Sequence, residues 1–448
     1  MEVPLSNTSP TGTGPLSPAR IAQLIPRPTS IEETELTVSF LADLVLKLIY
    51  YKSEMSSVEI AEELTLPFRG VMQPVLEFLK REEYAEISGS KGYGEGGYQW
   101  LISKKGSERA LQALDRDQYV GPAPVSLDRY NEMVLKQSVG DFKVGPNEVQ
   151  RAVSHLVLSA ELINKLGPAV NSGRSLFLYG PPGNGKTVLA KSIVRMLSGA
   201  VYIPYTIVVD GQIIRLYDEL NHKRIKEDPP PARTGGAVLH SAQPIDDRWV
   251  KIQRPEIVVG GELTMRNLDL IFDPISKTYE APFQMKANTG LFVIDDFGRQ
   301  SMPPMDLLNR WIVPLELRID FLTLQTGKKI EIPFDQLIVF STNLDPKDLV
   351  DEAFLRRIRH KIFVGNPSLE EFRELFIRYC KAKKVPYDEQ GLVFLLKEYY
   401  QKRQIEPRAC HARDILDELI DIARYLNVAP TMNIELLEQA CESYFVEL

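Results

Sequence analysis

Apolar residues recur along this chain in two rhythms, and the switches between them mark its elements. Residues 41–51, Leu-Ala-Asp-Leu-Val-Leu-Lys-Leu-Ile-Tyr-Tyr, predict an apolar helix. Ser57 is expected to cap a second helix with Ile60, Ala61 and Leu64 on one face. The turn Thr65-Leu66-Pro67 leads to a third helix expected over residues 68–83. Ala85-Glu86-Ile87 and Tyr98-Gln99-Trp100-Leu101-Ile102 then read as hairpin strands around a glycine-rich tip. Three helices and a hairpin over residues 34–118 predict a winged-helix-like α+β domain. Gly92, Gly94 and Gly97 have the spacing of a dinucleotide fingerprint, but they lie in a hairpin rather than between a strand and a helix, so that reading is set aside.

Residues 1–33 open with a Pro-, Ser- and Thr-rich stretch without an apolar core, which predicts a disordered tail rather than a signal peptide. Residues 119–133, with Gly121-Pro122-Ala123-Pro124, read as a linker. Residues 134–171 look helical. Three short, wholly apolar strands follow, Leu176-Phe177-Leu178-Tyr179, Leu291-Phe292-Val293-Ile294 and Leu337-Ile338-Val339-Phe340. Continuous apolar runs of this kind suit a parallel sheet buried on both faces. From Pro367 the spacing is helical almost to the end. The organisation expected is an α/β core over 134–365, a long insertion over 218–288, and a helical part over 366–448.

The chemistry sits at the ends of those strands. Residue 179 runs directly into Gly180-Pro181-Pro182-Gly183-Asn184-Gly185-Lys186-Thr187, and Val188 continues into a helix. This is a phosphate-binding loop in its required strand–loop–helix setting. Its glycines let backbone N–H groups close around phosphates, and the helix N-terminus adds a favourable dipole. Lys186 offers a cation, and the Thr187 hydroxyl a ligand for Mg²⁺. Asp295 and Asp296 end the second strand: Asp295 is placed to hold Mg²⁺, and Asp296 is the candidate base for the attacking water. Asp296-Phe297-Gly298 also spells a kinase motif, but no matching catalytic-loop segment accompanies it. Ser341-Thr342-Asn343 ends the third strand and would reach the γ-phosphate or its water. Arg356 and Arg357 follow in Asp351-Glu352-Ala353-Phe354-Leu355-Arg356-Arg357, and Arg413 opens a later amphipathic helix.

In that order these segments resemble the AAA+ ATPases, over roughly residue 134 to the C-terminus. They look like Walker A at residues 180–187, Walker B at 291–296, sensor 1 at Asn343, an arginine-finger box at 351–357, and sensor 2 at Arg413. The resemblance implies a P-loop parallel sheet flanked by helices with a C-terminal helical lid, an ATP·Mg²⁺ site and ATP hydrolysis. It implies a homo-oligomeric ring, often a hexamer, in which Arg356 and Arg357 act on the neighbour's γ-phosphate, and a cis contact from Arg413. The family usually ends Walker B in Asp-Glu. Here Asp296 is one methylene shorter, which predicts slower turnover.

Residues 319–324 and 329–332 flank Gln325-Thr326-Gly327-Lys328 as strand–turn–strand, similar to the pre-sensor-1 hairpin of MoxR-type chaperones and, more distantly, bacterial enhancer-binding activators. In such motors the hairpin often faces the central pore. The insertion, with His222-Lys223-Arg224-Ile225-Lys226 and Pro229-Pro230-Pro231, is expected to carry a remodelling or pore element around residues 259–263, or to be a surface elaboration.

Composition narrows the partners. The 448 residues carry a net charge of -7, so no uniformly basic surface argues for nucleic acid. Residues 36–120 contain ten basic and thirteen acidic side chains, and the third helix only Arg69, Lys80 and Arg81 as cations. A protein client is therefore favoured over DNA, which stays as an alternative, as does a nucleotide-binding switch or scaffold with little turnover. Three scattered cysteines, Cys380, Cys410 and Cys441, suit a reducing, cytoplasmic setting. Five dispersed histidines form no i,i+4 pair for a metal. No apolar run is long enough to span a bilayer.

Overall fold

The computed structural model describes residues 20, 23–92, 94–197, 199–226 and 244–445. Most of the tail expected over 1–33, together with Pro229, Pro230, Pro231 and His240, lies outside those residues.

Thr37 caps α1 (Val38–Lys52), accepting from the Phe40 amide. After β1 (Glu54–Ser56), α2 (Ser57–Glu63) starts in a reciprocal capping box made by Ser56 and Glu59. The cap is thus Ser56 rather than Ser57, whose hydroxyl instead accepts from Trp100 Nε1 at 2.8 Å. α3 (Gln73–Arg81) begins five residues later than the apolar pattern suggests. Arg69 is extended and Gly70 has φ +80°, which breaks the helical path. Any Cβ at Gly70 would meet the Thr29 carbonyl at 2.0 Å, so the N-terminal segment passes over the backbone there. β2 (Ala85–Ser90), β3 (Tyr98–Ile102) and α4 (Lys104–Arg116) complete this unit, with antiparallel strand order β1-β3-β2.

The stretch expected to be a linker is ordered. β4 (Val125–Ser126) pairs with a strand of the insertion, and α5 (Leu127–Lys136) buries Tyr130, Met133 and Val134 beneath it. Those apolar side chains, spaced for one helix face, outweigh the Gly-Pro punctuation before them. α6 (Pro146–Val153) and α7 (Ala160–Asn171) precede β5 (Ser175–Tyr179) and α8 (Lys186–Val194). Then come β6 (Ala200–Pro204), β7 (Thr206–Val209), β8 (Gln212–Arg215), β9 (Trp249–Gln253), β10 (Glu256–Val259), β11 (Ile271–Asp273), β12 (Thr278–Glu280) and α9 (Phe283–Lys286). β13 (Leu291–Ile294), α10 (Pro304–Leu317), β14 (Ile319–Thr323), β15 (Lys329–Pro333), β16 (Leu337–Thr342), α11 (Pro346–Leu349), α12 (Glu352–Leu355) and β17 (His360–Phe363) finish the α/β part. The C-terminal part holds α13 (Leu369–Lys383), α14 (Glu389–Leu395), α15 (Ala409–Tyr425) and α16 (Ile434–Tyr444).

The central sheet is wholly parallel, in the order β10-β13-β16-β5-β17. Alternate side chains serve its two faces. Leu176, Leu178, Val293 and Val339 pack with Leu166, Leu189 and Ile193 of α7 and α8. Phe177, Phe292 and Phe340 pack with Phe297, Leu308 and Trp311 on the α10 side. Helices cover both faces, which is why these strands carry no polar alternation.

The insertion is larger than the sequence suggests and differently bounded. β10, within the 218–288 span, is a strand of the central sheet, because its alternate residues Ile257 and Val259 join the α10-side core. The inserted β-rich unit begins at β6. It comprises a five-stranded sheet, β11-β12-β8-β7-β4, and the ribbon β6-β9. The hairpin β14-β15 belongs to the same core: Leu322, Leu324, Ile330 and Ile332 are buried with Ile207, Ile214, Trp249 and Tyr279. The N-terminal unit docks here as well. Arg248, 4% exposed, pairs with Asp246 and donates to the carbonyls of Thr34 at 3.0 Å and Pro124 at 3.1 Å.

Candidate nucleotide site

The loop after β5 and the ends of β13 and β16 meet at the carboxyl edge of the central sheet, where open α/β folds place their ligands. Lys186 starts α8 and is 7% exposed. Its ammonium donates to the carbonyls of Gly180 and Pro181, each at 2.8 Å, and to Asn343 Oδ1 at 2.7 Å. Burial lowers its pKa from the ordinary lysine value, against the attraction of Asp296 and Asp295. The Thr187 hydroxyl donates to Asp295 Oδ2 at 2.7 Å. Asn343 Nδ2 donates to Asp296 Oδ1 at 3.2 Å, so Lys186, Asn343 and Asp296 form one connected polar line. The turn after β13 is tightened by Gln300, which donates to the carbonyls of Asp295 and Asp296 at 3.0 and 3.2 Å. Gln300 was not singled out in the sequence, although it lies only four and five residues from the carbonyls it holds. Thr187 and Asp295 offer hard oxygen donors, suited to Mg²⁺. Among the described residues no group of three or more His, Cys, Asp and Glu side chains is arranged for a metal, so an ion here would take the rest of its shell from phosphate and water.

The helical part closes over the same loop. The N-terminus of α15 points at it: the Cys410 amide donates to the Gly183 carbonyl at 2.8 Å, and the Ala409 amide to Asn184 Oδ1 at 3.1 Å. Cys410 Sγ and Arg408 Cβ lie 2.5 and 3.8 Å from where a Cβ on Gly183 would sit. The helix dipole adds positive potential there. Arg408, Ala409 and Cys410 were not singled out by sequence reasoning, which looked further along the helix to Arg413. Arg413 instead pairs with Asp414 on its own helix at 2.8 Å and is 55% exposed. The arginine whose Cβ comes beside the loop is Arg408, and the Pro407-Arg408 step just before a helix start was the available signal.

The remaining residues of the expected site are dispersed. Pro182 and Val188 are exposed at its mouth, as are Gly183 and Gly185. Arg356 is 77% exposed and pairs with Glu352 one turn back, whereas Arg357, 27% exposed, donates to Glu316 of α10 at 2.6 Å. The hairpin expected to face a pore is tied down at its tip. The Gln325 amide donates to Tyr279 Oη at 2.9 Å, and Lys328 reaches Asp210 at 2.5 Å. Residues 260–263 continue from the central strand β10, and the Ser301 hydroxyl donates to the Gly261 carbonyl at 3.0 Å.

The chain is similar to several known proteins. The family model "Domain of unknown function (DUF8689)" matches residues 368–443, within the helical part. Spastin of Drosophila virilis is 24% identical over 311 residues, 69% of this chain and 31% of that protein. The proteasome-activating nucleotidase of Methanocella arvoryzae is 30% identical over 91 residues, 20% of this chain and 20% of that protein. A solved structure of NtrX from Brucella abortus is 14% identical, covering 75% of this chain and 66% of that one, with a TM-score of 0.39. The chain therefore spans less than a third of the length of these two curated relatives. Strand order, the phosphate loop with its aspartate and asparagine partners, the helical part folded over it and the sequence relatives point the same way: the chain has a P-loop fold and resembles the AAA+ ATPases.

Proposed function

We propose that this protein binds ATP with Mg²⁺ at residues 180–188 and hydrolyses it to drive a ring-forming, protein-remodelling motor in the cytoplasm. The observation that carries the reading is the joined set Thr187–Asp295 and Lys186–Asn343–Asp296 at the carboxyl edge of the sheet. Backbone N–H groups of Gly183, Asn184, Gly185, Lys186, Thr187 and Val188 hold the phosphates, and Lys186 turns its ammonium to them. Thr187 and Asp295 would hold Mg²⁺, which when bound would offset the charge of the phosphates. Asp296 takes the proton of the attacking water, and Asn343 orients both. Arg408, whose Cβ lies beside the loop, joins Arg413 as a candidate cis cation from the lid. Arg356, projecting from its own subunit, stabilises charge on the neighbour's γ-phosphate, and Arg357 holds that segment against α10.

A protein client is favoured over DNA by the N-terminal unit. Its α3 is bridged to the hairpin tip by Gln73 donating to Glu95 at 2.8 Å, and Glu77 lies beside that bridge. Carboxylates on this face repel phosphates. The test is phosphate release by the purified protein beside Lys186→Ala and Asp296→Asn. Both variants should fall by roughly a hundredfold or more; equal release by all three refutes the assignment. Asp296→Asn held in ATP should retain a protein client in a pull-down that Lys186→Ala does not.

A further inference from the structure

Asn184 is a loop position that the phosphate-binding motif leaves open to any residue. Here it is 7% exposed, and both ends of its amide are used. Its Oδ1 accepts from the Ala409 amide at 3.1 Å, at the start of α15. Its Nδ2 donates to Asn366 Oδ1 at 2.7 Å, in the segment joining β17 to the helical part. Asn366 Nδ2 in turn donates to the Glu406 carboxylate, just before α15. The polarity of this chain is forced from both ends. A backbone amide can only donate, so it fixes the orientation of Asn184; an ionised carboxylate can only accept, so it fixes that of Asn366. One side chain of the phosphate loop therefore grips the lid directly and again through the hinge.

We propose that Asn184 is a positioning residue that transmits occupancy of the phosphate loop to the helical lid through the relay Asn184–Asn366–Glu406. The proposal rests on the ATP reading of residues 180–188. Phosphate drawing on the backbone N–H groups beside Asn184 shifts the loop, and the relay passes the shift to the hinge and to the N-terminus of α15 together. Loop and lid then move as one unit, so a residue that touches no reacting atom sets how far the lid follows the nucleotide.

The protein contains its own reporter. Cys380 and Cys441 are 1% and 0% exposed, whereas Cys410 is half-buried against Gly183. N-ethylmaleimide labelling of the full chain therefore reads lid opening at Cys410. Without nucleotide, Asn184→Ala should label roughly five- to tenfold faster than wild type, the population shift expected from losing one or two neutral hydrogen bonds. Asn366→Ala, outside the phosphate loop, should act in the same direction but less strongly, since it leaves the Ala409–Asn184 bond intact, and the double variant should add little to Asn184→Ala alone. Glu406→Gln keeps an acceptor for Asn366 and should stay within about twofold of wild type, while Glu406→Ala should not. ATP should change labelling of wild type and leave Asn184→Ala nearly unresponsive, with kcat lowered more than nucleotide affinity. Wild-type labelling in Asn184→Ala and Asn366→Ala, or multiplicative effects in the double variant, overturns the relay whatever ATP does. A fluorescent ATP analogue that fails to bind wild type instead overturns the ATP reading and the transmission with it, while the nucleotide-free labelling still scores the grip on the lid.

Discussion

Three glycines of the phosphate loop share a positive φ yet face different surroundings, so replacing each by alanine separates backbone strain from steric conflict. Gly185, at φ +77°, has nothing within 4 Å of an added Cβ. Gly185→Ala should lose only the left-handed penalty, about 1–2 kcal/mol. Gly180, at φ +137°, would place its Cβ 2.4 Å from the Val364 carbonyl oxygen. That carbonyl is backbone, and the Val364 amide is fixed to the Tyr179 carbonyl at 2.8 Å, continuing the pairing of β17 with β5. Reaching an ordinary contact of 3.4 Å means moving the chain by about 1 Å. Overpacking of this kind costs about 1–3 kcal/mol and the threatened hydrogen bond about 1 more. Gly180→Ala should therefore lose about 3–6 kcal/mol. Gly183, at φ +84°, would come too close to Cys410 Sγ, at 2.5 Å, while its other neighbours lie at ordinary contact distance, so the conflict is with a side chain on the lid. Its alanine variant should fall between the other two, and Cys410→Ala should recover most of the excess over Gly185→Ala. Urea unfolding followed by tryptophan fluorescence measures all four proteins and the double variant. Equal losses at Gly180 and Gly185, or no recovery of Gly183→Ala by Cys410→Ala, would refute the packing argument.

Restoring the longer acid by Asp296→Glu should keep or raise phosphate release, whereas Asp296→Asn should lower it by roughly 10²–10⁴-fold with nucleotide affinity nearly unchanged. Arg356→Ala should silence release in trans, so that mixing it with Lys186→Ala subunits restores activity at shared interfaces; Arg357→Ala should instead lower stability by less than about 1 kcal/mol, as a partly exposed ion pair does. Burial pulls the His411 pKa down from 6.5 to about 4, and its Nδ1 stands 2.9 Å from Tyr400 Oη. The unfolded chain then binds the extra proton first, so stability is intact above pH 6.5 and falls by up to about 3 kcal/mol as pH drops towards 4. Unfolding midpoints across that range should steepen for wild type relative to His411→Gln; parallel curves would exclude His411 as the cause.

Local chemistry was enough for the centre of this molecule. The phosphate loop needs glycines, a lysine and a hydroxyl in consecutive order, and the buried strands need unbroken apolar runs, so both are written in contiguous residues. Asp295, Asp296 and Asn343 could be placed because each ends such a strand, and parallel strands bring their carboxyl ends together. Apolar pattern likewise marked α1, β2 and β3, although it could not show that Gly70 interrupts the helix before α3, because the Thr29 backbone that crosses there is distant in sequence. The same blindness to distance concealed the larger features. β10 looked like part of an insertion, since nothing in Glu256–Val259 tells which sheet will accept it. The hairpin β14-β15 looked free, because its anchors Tyr279 and Asp210 are 46 and 118 residues away from the residues they hold. Asn184 could be read only as part of the phosphate loop, and only the docking of α15 shows that its side chain also holds the lid. Residue type and order determine which groups can bind phosphate; which lid atoms press on that site is decided by how the helical part packs on the α/β part, and no local pattern encodes that packing.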